Sequence, residues 1–268
     1  MDRDTVFITG ANTGIGYETV RALAASTVSY EILLGSRSVE KGEKAVQDAI
    51  EEFPAIDGHV SVVQIDVESD ASIEAAFETI KTKYGRLDVL INNAGASFDP
   101  QVTEGKMTIR EAWNQSWNVN TAGTQVVTAT FVPLLLQSSN PRLLFLVSGT
   151  SSLAISEVPD IPINTVPAKG WPKTDLFMQC NIPAYRSSKA GLTMLMREWH
   201  RFLRNDGVKV WGISPGYLAT GLGGSVVTNQ KQGAGDPALG GEFIRDVVEG
   251  KRDEDVGKAI LRDKVQPW

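Results

Sequence analysis

The sequence predicts an α/β domain built on a doubly wound parallel sheet with helices on both faces. Three observations predict it. Short apolar, β-branched runs alternate with longer helical patterns, and strands joined by crossover helices must pair in parallel. The stretch TGANTGIG (Thr9–Gly16) places three glycines where a first strand should turn into a first helix. The remaining polar motifs fall at the carboxyl ends of strands, where such sheets hold their ligands.

Taken in order, Thr5–Thr9 reads as the first strand and Ile15–Ala25 as an amphipathic helix. Glu31–Gly35 (EILLG) is a second, buried strand, followed by a charged helix that stops near Phe53-Pro54. His59–Ile65 (HVSVVQI) is the third strand, and Asp70–Tyr84 a helix that Gly85 ends. Leu87–Ile91 is the fourth strand. Met107–Gln137 reads as one long helix or two, interrupted around Asn120–Gly123. Arg142–Val147 is the fifth strand, Ala184–Arg204 a strong helix and Val208–Ile213 the sixth strand. Two stretches break this rhythm. Ala154–Pro183 holds five prolines, with Trp171 and Phe177 among few helix or strand signals, and Gly221–Gly241 is rich in glycine and polar residues. Long irregular loops of this kind are functional lids or disordered. No repeat or linker divides the 268 residues, which suits one domain.

A net charge of −6 and a pI near 5.1 argue against nucleic acid or an anionic membrane as the main partner. The chain opens on Asp2-Arg3-Asp4 rather than a basic-then-apolar signal, and no apolar run approaches membrane-spanning length. A single cysteine, Cys180, excludes an internal disulfide framework and suits a reducing, cytoplasmic compartment; with no histidine nearby it makes no case as a nucleophile. The two histidines, His59 and His200, lie far apart without metal-ligand spacing. His200 reads as a packed or surface residue inside a helix. The acidic runs Glu40–Glu52 and Asp253-Glu254-Asp255 read as solvated faces.

Gly10, Gly14 and Gly16 follow G-x-x-x-G-x-G spacing around Asn12, Thr13 and Ile15. A strand, a glycine turn and a helix form an anion site, because free N–H groups and the helix dipole point at a phosphate. In this reading Gly10 turns the chain, Gly14 lets backbone approach a pyrophosphate and Gly16 lets helix and sheet pack closely. The second strand ends in Ser36-Arg37. A carboxylate there would bond a ribose 2′-hydroxyl, whereas an arginine fork accommodates a 2′-phosphate, so the pair reads as NADP(H) rather than NAD(H). Asp66-Val67 and Asn93-Ala94-Gly95 add polar and small groups along the same edge, suited to an adenine amino group and its ribose.

Tyr185 and Lys189, spaced i to i+4, share one face of a helix. A phenol ionises near 10, and a cation about 4 Å away at an effective dielectric near 20 stabilises the phenolate by about 4 kcal/mol. The expectation is a tyrosine with a lowered pKa that gives a proton to a carbonyl oxygen.

TGANTGIG, NNAG, Asn120, a serine after the fifth strand, YRSSK and Pro215-Gly216, in this order, resemble the short-chain dehydrogenase/reductase family in its single-domain form. The resemblance spans roughly Thr5 to Thr220. It implies a Rossmann sheet of about seven strands, NAD(P)(H), and hydride exchange between a carbonyl and an alcohol. It casts Tyr185 as acid/base, Lys189 as the group that lowers its pKa and holds the nicotinamide ribose, and Asn120 as the holder of a relay water. Ser148 becomes the substrate-orienting hydroxyl, with Thr150 and Ser151 as alternatives. Pro215, Gly216, Leu218 and Thr220 would border the nicotinamide. The segment between Ser148 and Tyr185 is longer than the family usually has, so residues 154–183 read as an insertion walling the substrate pocket, with Trp171 or Phe177 as apolar contacts.

These readings converge on an NADPH-dependent reductase of a ketone or aldehyde, similar to fungal members of the family. An oxidative alcohol dehydrogenase or a secondary-metabolite tailoring enzyme would use the same parts, and a non-catalytic NADP(H)-binding regulator would have no use for Tyr185, Lys189 and Asn120. The resemblance implies a homodimer or homotetramer, and Trp268 is expected to pack at a subunit contact or over a pocket.

Overall fold

The computed structural model describes residues 3–173 and 181–268, so Phe177 and Cys180 lie outside the described residues. Seven parallel strands form one sheet: β1 (Asp4–Ile8), β2 (Tyr30–Ser36), β3 (Val60–Gln64), β4 (Val89–Asn92), β5 (Arg142–Leu146), β6 (Lys209–Ile213) and β7 (Ala259–Ile260). Their order is β3-β2-β1-β4-β5-β6-β7. The chain therefore steps outward from β1 to β3 and returns to place β4 on the other side of β1. Val6 of β1 pairs with Ile32 of β2 and Val89 of β4, which fixes the register across this reversal. A topological switch point opens beyond the carboxyl ends of β1 and β4.

Helices α1 (Gly14–Ala24), α2 (Val39–Glu52) and α3 (Asp70–Tyr84) follow the first three strands. Gly85 ends α3 at φ 71°, a left-handed cap that suits glycine. After β4 come α4 (Asp99–Thr103), α5 (Ile109–Trp117) and α6 (Thr124–Leu135); α5 opens on a capping box between Thr108 and Glu111. After β5 come α7 (Leu153–Ser156) and the long α8 (Pro183–Leu203), and after β6 the short α9 (Val226–Lys231) and α10 (Ala238–Val248). Two apolar layers flank the sheet. One joins Val6, Ile32, Leu34 and Trp211 to α1, α2 and α10; the other joins Phe7, Leu90 and Phe145 to α3, α6 and α8.

The interruption expected at Asn120–Gly123 is a π-helical turn, Asn118–Gly123, between α5 and α6. A Cβ on Gly123 would stand 2.2 Å from the carbonyl oxygen of Val67, so this turn presses directly on the loop after β3. The seventh strand, implied only by the resemblance, is β7: it is two residues long and is held by Gly212 and Ile213 of β6. The reading of Asp253-Glu254-Asp255 as a solvated face is corrected. Asp253 pairs with Arg142 at 2.7 Å and Lys209 at 2.6 Å, and the buried Asp255 pairs with Arg252 and Lys258. Arg142 is buried at the start of a central strand, and its charge requires a partner there. Among the described residues no helix is long and apolar enough to cross a membrane.

Gly123→Ala drives a methyl into the Val67 backbone. Its denaturation midpoint should report a loss of about 1–3 kcal/mol, and an unchanged midpoint would show that the turn yields freely.

Candidate active site

The glycine turn is built as its spacing implied. Gly10 and Gly14 adopt φ of 62° and 58°, and a Cβ on Gly10 would come 3.0 Å from Ala94 Cα. Gly16 lies so close to Asn93 that a Cβ would reach 2.4 Å from its Nδ2. Asn93 itself faces the protein: its Nδ2 donates to the carbonyls of Thr9 (2.8 Å) and Gly10 (2.9 Å), which shapes the turn. Thr13 precedes α1 without a side-chain hydrogen bond to the first N–H groups, and the first turn carries no acid. Open N–H groups beside left-handed glycines fit the pyrophosphate of a dinucleotide. Thr220 Cβ and Cγ2 would both stand 3.6 Å from a Cβ on Gly14, so the loop after β6 closes on the glycine turn.

The rest of that loop follows. Pro215 and Gly216 (φ 104°) lead to buried Leu218, which bridges to Gly235, and Asn229 Nδ2 donates to the Thr220 carbonyl at 2.8 Å. At the far edge Ser36 is buried and donates to the Ser38 carbonyl, while the Arg37 side chain is 71% exposed with Nη1 3.7 Å from Glu68 Oε2. Asp66 Oδ1 accepts from the Glu68 N–H at 3.1 Å, and Val67 packs on the π turn.

The π turn aims Asn120 inward. It is fully buried, exchanges two 2.8 Å hydrogen bonds with the backbone of Ala96, and donates to Ser188 Oγ at 2.9 Å. Its side chain is thus bound by protein. Gly95 passes over this point, where a Cβ would be 3.1 Å from both Asn120 Oδ1 and Lys189 Nζ. One turn of α8 brings Lys189 beneath Tyr185, with Nζ 5.9 Å from the ring centroid, and Nζ donates to the Leu146 carbonyl at 2.7 Å.

The electrostatics correct an expectation. Burial pushes the Tyr185 hydroxyl up to about 12, opposed by a hydrogen bond from Ser148. Tyr185 as a whole is half-buried. The same burial pulls Lys189 down to about 8. Desolvation governs both groups, and the ammonium is directed at the Leu146 carbonyl. Ser148 is the hydroxyl that meets Tyr185. Its Oγ also shares a 2.9 Å hydrogen bond with Thr150 Oγ1, whereas Ser151 Oγ turns back to donate to the Ser148 carbonyl.

Two residues with no spacing signal hold this arrangement. Asp99, buried on α4, accepts from the N–H groups of Ala184 (2.9 Å) and Tyr185 (3.0 Å) and so caps α8 from outside it. Burial raises its carboxyl above the ordinary value, and those two N–H groups draw it back. Arg186 donates to the Thr150 carbonyl at 2.7 Å and to Asn164 Oδ1 at 3.0 Å, which fastens the first part of the insertion to the serine loop. Trp171, expected as an apolar contact of the pocket wall, is 88% exposed. The Trp268 ring lies 5.3 Å from the Arg197 guanidinium, and its carbonyl accepts from the Ala154 N–H. His200 is part-buried in α8, and no metal-binding cluster occurs among the described residues.

A parallel sheet with a glycine turn at its switch point and a Tyr-x-x-x-Lys pair on the helix after β5 defines a dinucleotide-linked oxidoreductase class. The profile of the "short chain dehydrogenase" family matches residues 4–159 and 176–231, and the chain belongs to that family of oxidoreductases. The gap in the match falls inside the expected insertion. The chain is 49% identical over 220 residues to the short-chain dehydrogenase/reductase eupG of a Phoma species, covering 81% of this chain and 77% of that one. It is 45% identical over 225 residues to tropE of Talaromyces stipitatus, covering 84% and 82%. The NADPH-bound carbonyl reductase from chicken fatty liver shares the fold over the whole of both chains, with a TM-score of 0.78 at 21% identity.

Lys189 gives a pH test. Its folded value lies below the ordinary 10.5, so between about 8 and 10.5 the unfolded chain binds the extra proton. Stability should therefore rise with pH across that window, by up to about 3 kcal/mol. Lys189→Met should flatten the rise in urea midpoints, and an identical pH profile for the two proteins would contradict the assignment.

Proposed function

We propose that this protein is an NADPH-dependent reductase that converts a ketone or aldehyde to an alcohol, with Tyr185 as the general acid. The observation that carries the reading is the cluster of Tyr185, Ser148 and Lys189: the Tyr185 hydroxyl is hydrogen-bonded to Ser148, and Lys189 Nζ lies 5.9 Å from the tyrosine ring. A protonated tyrosine at this place has a proton to give to a carbonyl oxygen, the step that a reduction needs. When bound, the dinucleotide supplies the hydride that the carbonyl carbon receives. Gly10, Asn12, Thr13, Gly14, Ile15 and Gly16 would cradle its pyrophosphate, and Asp66, Val67, Ala94 and Gly95 would border its adenosine half. Pro215, Gly216, Leu218 and Thr220 would border the nicotinamide.

The chain's own residues do the rest. Ser148 Oγ orients the substrate oxygen, and Tyr185 Oη gives that oxygen its proton, leaving a phenolate. Lys189, with Nζ 5.9 Å from the tyrosine ring, steadies the phenolate electrostatically, and solvent returns the proton. Asn120 keeps the floor of this site fixed through Ala96 and Ser188. Arg37, exposed at the end of β2, is the residue that would take the 2′-phosphate. The exposed apolar side chains Ile109, Trp113 and Trp117 on α5, with Met194 and Phe202 on α8, support assembly as a homodimer or homotetramer.

Tyr185→Phe keeps the ring and removes the proton. Ketone-dependent NADPH oxidation, followed by absorbance, should fall by about 10²–10⁴-fold; a rate like the parent's defeats the mechanism. Arg37→Ala should weaken NADPH binding by roughly 10–100-fold and leave NADH nearly untouched, as expected for losing a hydrogen bond to a charged group. Tighter binding of NADH than NADPH by the parent protein would overturn the phosphate assignment.

A further inference from the structure

Residues 262–268 run along the surface, and six of the seven are exposed. The exception is Gln266, 1% exposed. Burying one amide in an otherwise solvated tail is unfavourable unless both of its ends are hydrogen-bonded. Both are. Gln266 Oε1 accepts from Ser214 Oγ, and Nε2 donates to the Ser148 carbonyl at 3.3 Å. Ser214 immediately precedes Pro215-Gly216 after β6, and Ser148 opens the loop after β5. One side chain therefore bridges the two loops that face each other across the proposed reaction centre.

The tail is anchored on both sides of this bridge. The Gln266 N–H donates to the Ala259 carbonyl at 2.9 Å, which holds it to β7. Beyond it, Ser152 Oγ donates to the Pro267 carbonyl at 2.6 Å and the Ala154 N–H to the Trp268 carbonyl at 2.7 Å. The Ser148 carbonyl also accepts from Ser151 N and Oγ, at 3.1 and 2.7 Å. Those two bonds are internal to the turn and travel with it. The Gln266 amide is different, because it relates the turn to β6 and β7.

We infer that Gln266 is a positioning residue for the reaction: it sets where the Ser148 hydroxyl stands relative to Tyr185 and the Pro215-Gly216 loop. The inference rests on the reading of Ser148 and Tyr185 given above. A carbonyl bound between Ser148 and Tyr185 presents one face to the nicotinamide side, so displacement of the serine alters both the rate and the face that is reduced. Positioning errors of this kind act on kcat and leave cofactor affinity alone.

The test uses Gln266→Leu, Ser214→Ala and Ser148→Ala in the full chain. The probe is a panel of prochiral aryl and alkyl methyl ketones, from which the one reduced fastest by the parent protein is taken. Gln266→Leu should lower kcat about tenfold and move the ratio of alcohol enantiomers toward unity, with the NADPH dissociation constant (by fluorescence) changed less than about twofold. In the Ser148→Ala background the same substitution should cost less than about twofold, since the two act as a unit. Should Gln266→Leu fail to fold, Ser214→Ala removes the Oε1 partner, leaves the tail sequence intact and should move the enantiomer ratio in the same direction. Reduction lost in Ser148→Ala, with kcat and enantiomer ratio unchanged in Gln266→Leu and Ser214→Ala, overturns this inference alone. Reduction that persists in Ser148→Ala overturns the reading of the site and this inference with it.

Discussion

The Thr9–Asn93 contact sits where the strand order reverses, and the site on either side of it depends on its geometry. Thr9 Oγ1 accepts from the N–H groups of Asn93 and Ala94 at 3.1 and 3.0 Å, and Asn93 returns its amide to the carbonyls of Thr9 and Gly10. Two loops that share no sequence neighbourhood are thereby locked at the end of adjacent strands. The lock leaves no room for a side chain at Gly16 and little at Gly10. The first turn of α1 consequently presents bare N–H groups, and Gly95 is carried onward to Asn120 and Lys189. A polar side chain spent wholly on backbone is what allows glycines to remain rigid enough to bind.

The second constraint is dielectric. Tyr185 and Lys189 lie four residues apart on one helix face, and Coulomb attraction alone argues for a lowered phenol pKa. Burial acts on the charged form of both groups, however, and it wins at both. The tyrosine keeps its proton and the lysine loosens its own. The spacing of such a pair holds only if its helix does not move. Asp99 supplies that condition, because its carboxylate grips the backbone N–H of Tyr185 itself.

The sheet and the glycine turn were legible because both follow short-range rules: β-branched runs, left-handed glycines, and an i to i+4 pair. The π turn was visible only as an interruption, since what makes it necessary is the Val67 carbonyl against Gly123, a contact between distant segments. Asp99 and Arg186 were invisible for the same reason. An aspartate after a phenylalanine has no signature, and its partners lie some eighty positions further along. Asp253 and Asp255 were misread because a run of acids looks solvated until the cations facing it are known. Trp268 drew attention as the largest apolar residue of the tail, yet the buried group beside it is the polar Gln266.

The parts that follow the family's pattern and the parts that do not are joined by a few side-chain bonds. The glycine turn, Asn120, Tyr185 and Lys189 fit a cofactor common to the whole class and say little about what is reduced. The inserted segment and the tail both reach this frame at the loop that begins with Ser148, and the tail reaches it at Ser214 and β7 as well. Arg186 fastens the start of the insertion to Thr150, and Gln266 fastens the tail to Ser148. A loop clamped from both sides has its hydroxyl fixed relative to Tyr185 before any substrate arrives. Preorganisation of that kind lets the surrounding segments change in sequence and length while Tyr185 and Ser148 keep their spacing. Selection among carbonyl compounds would then reside in what those two bonds hold in place, rather than in the residues that carry the chemistry.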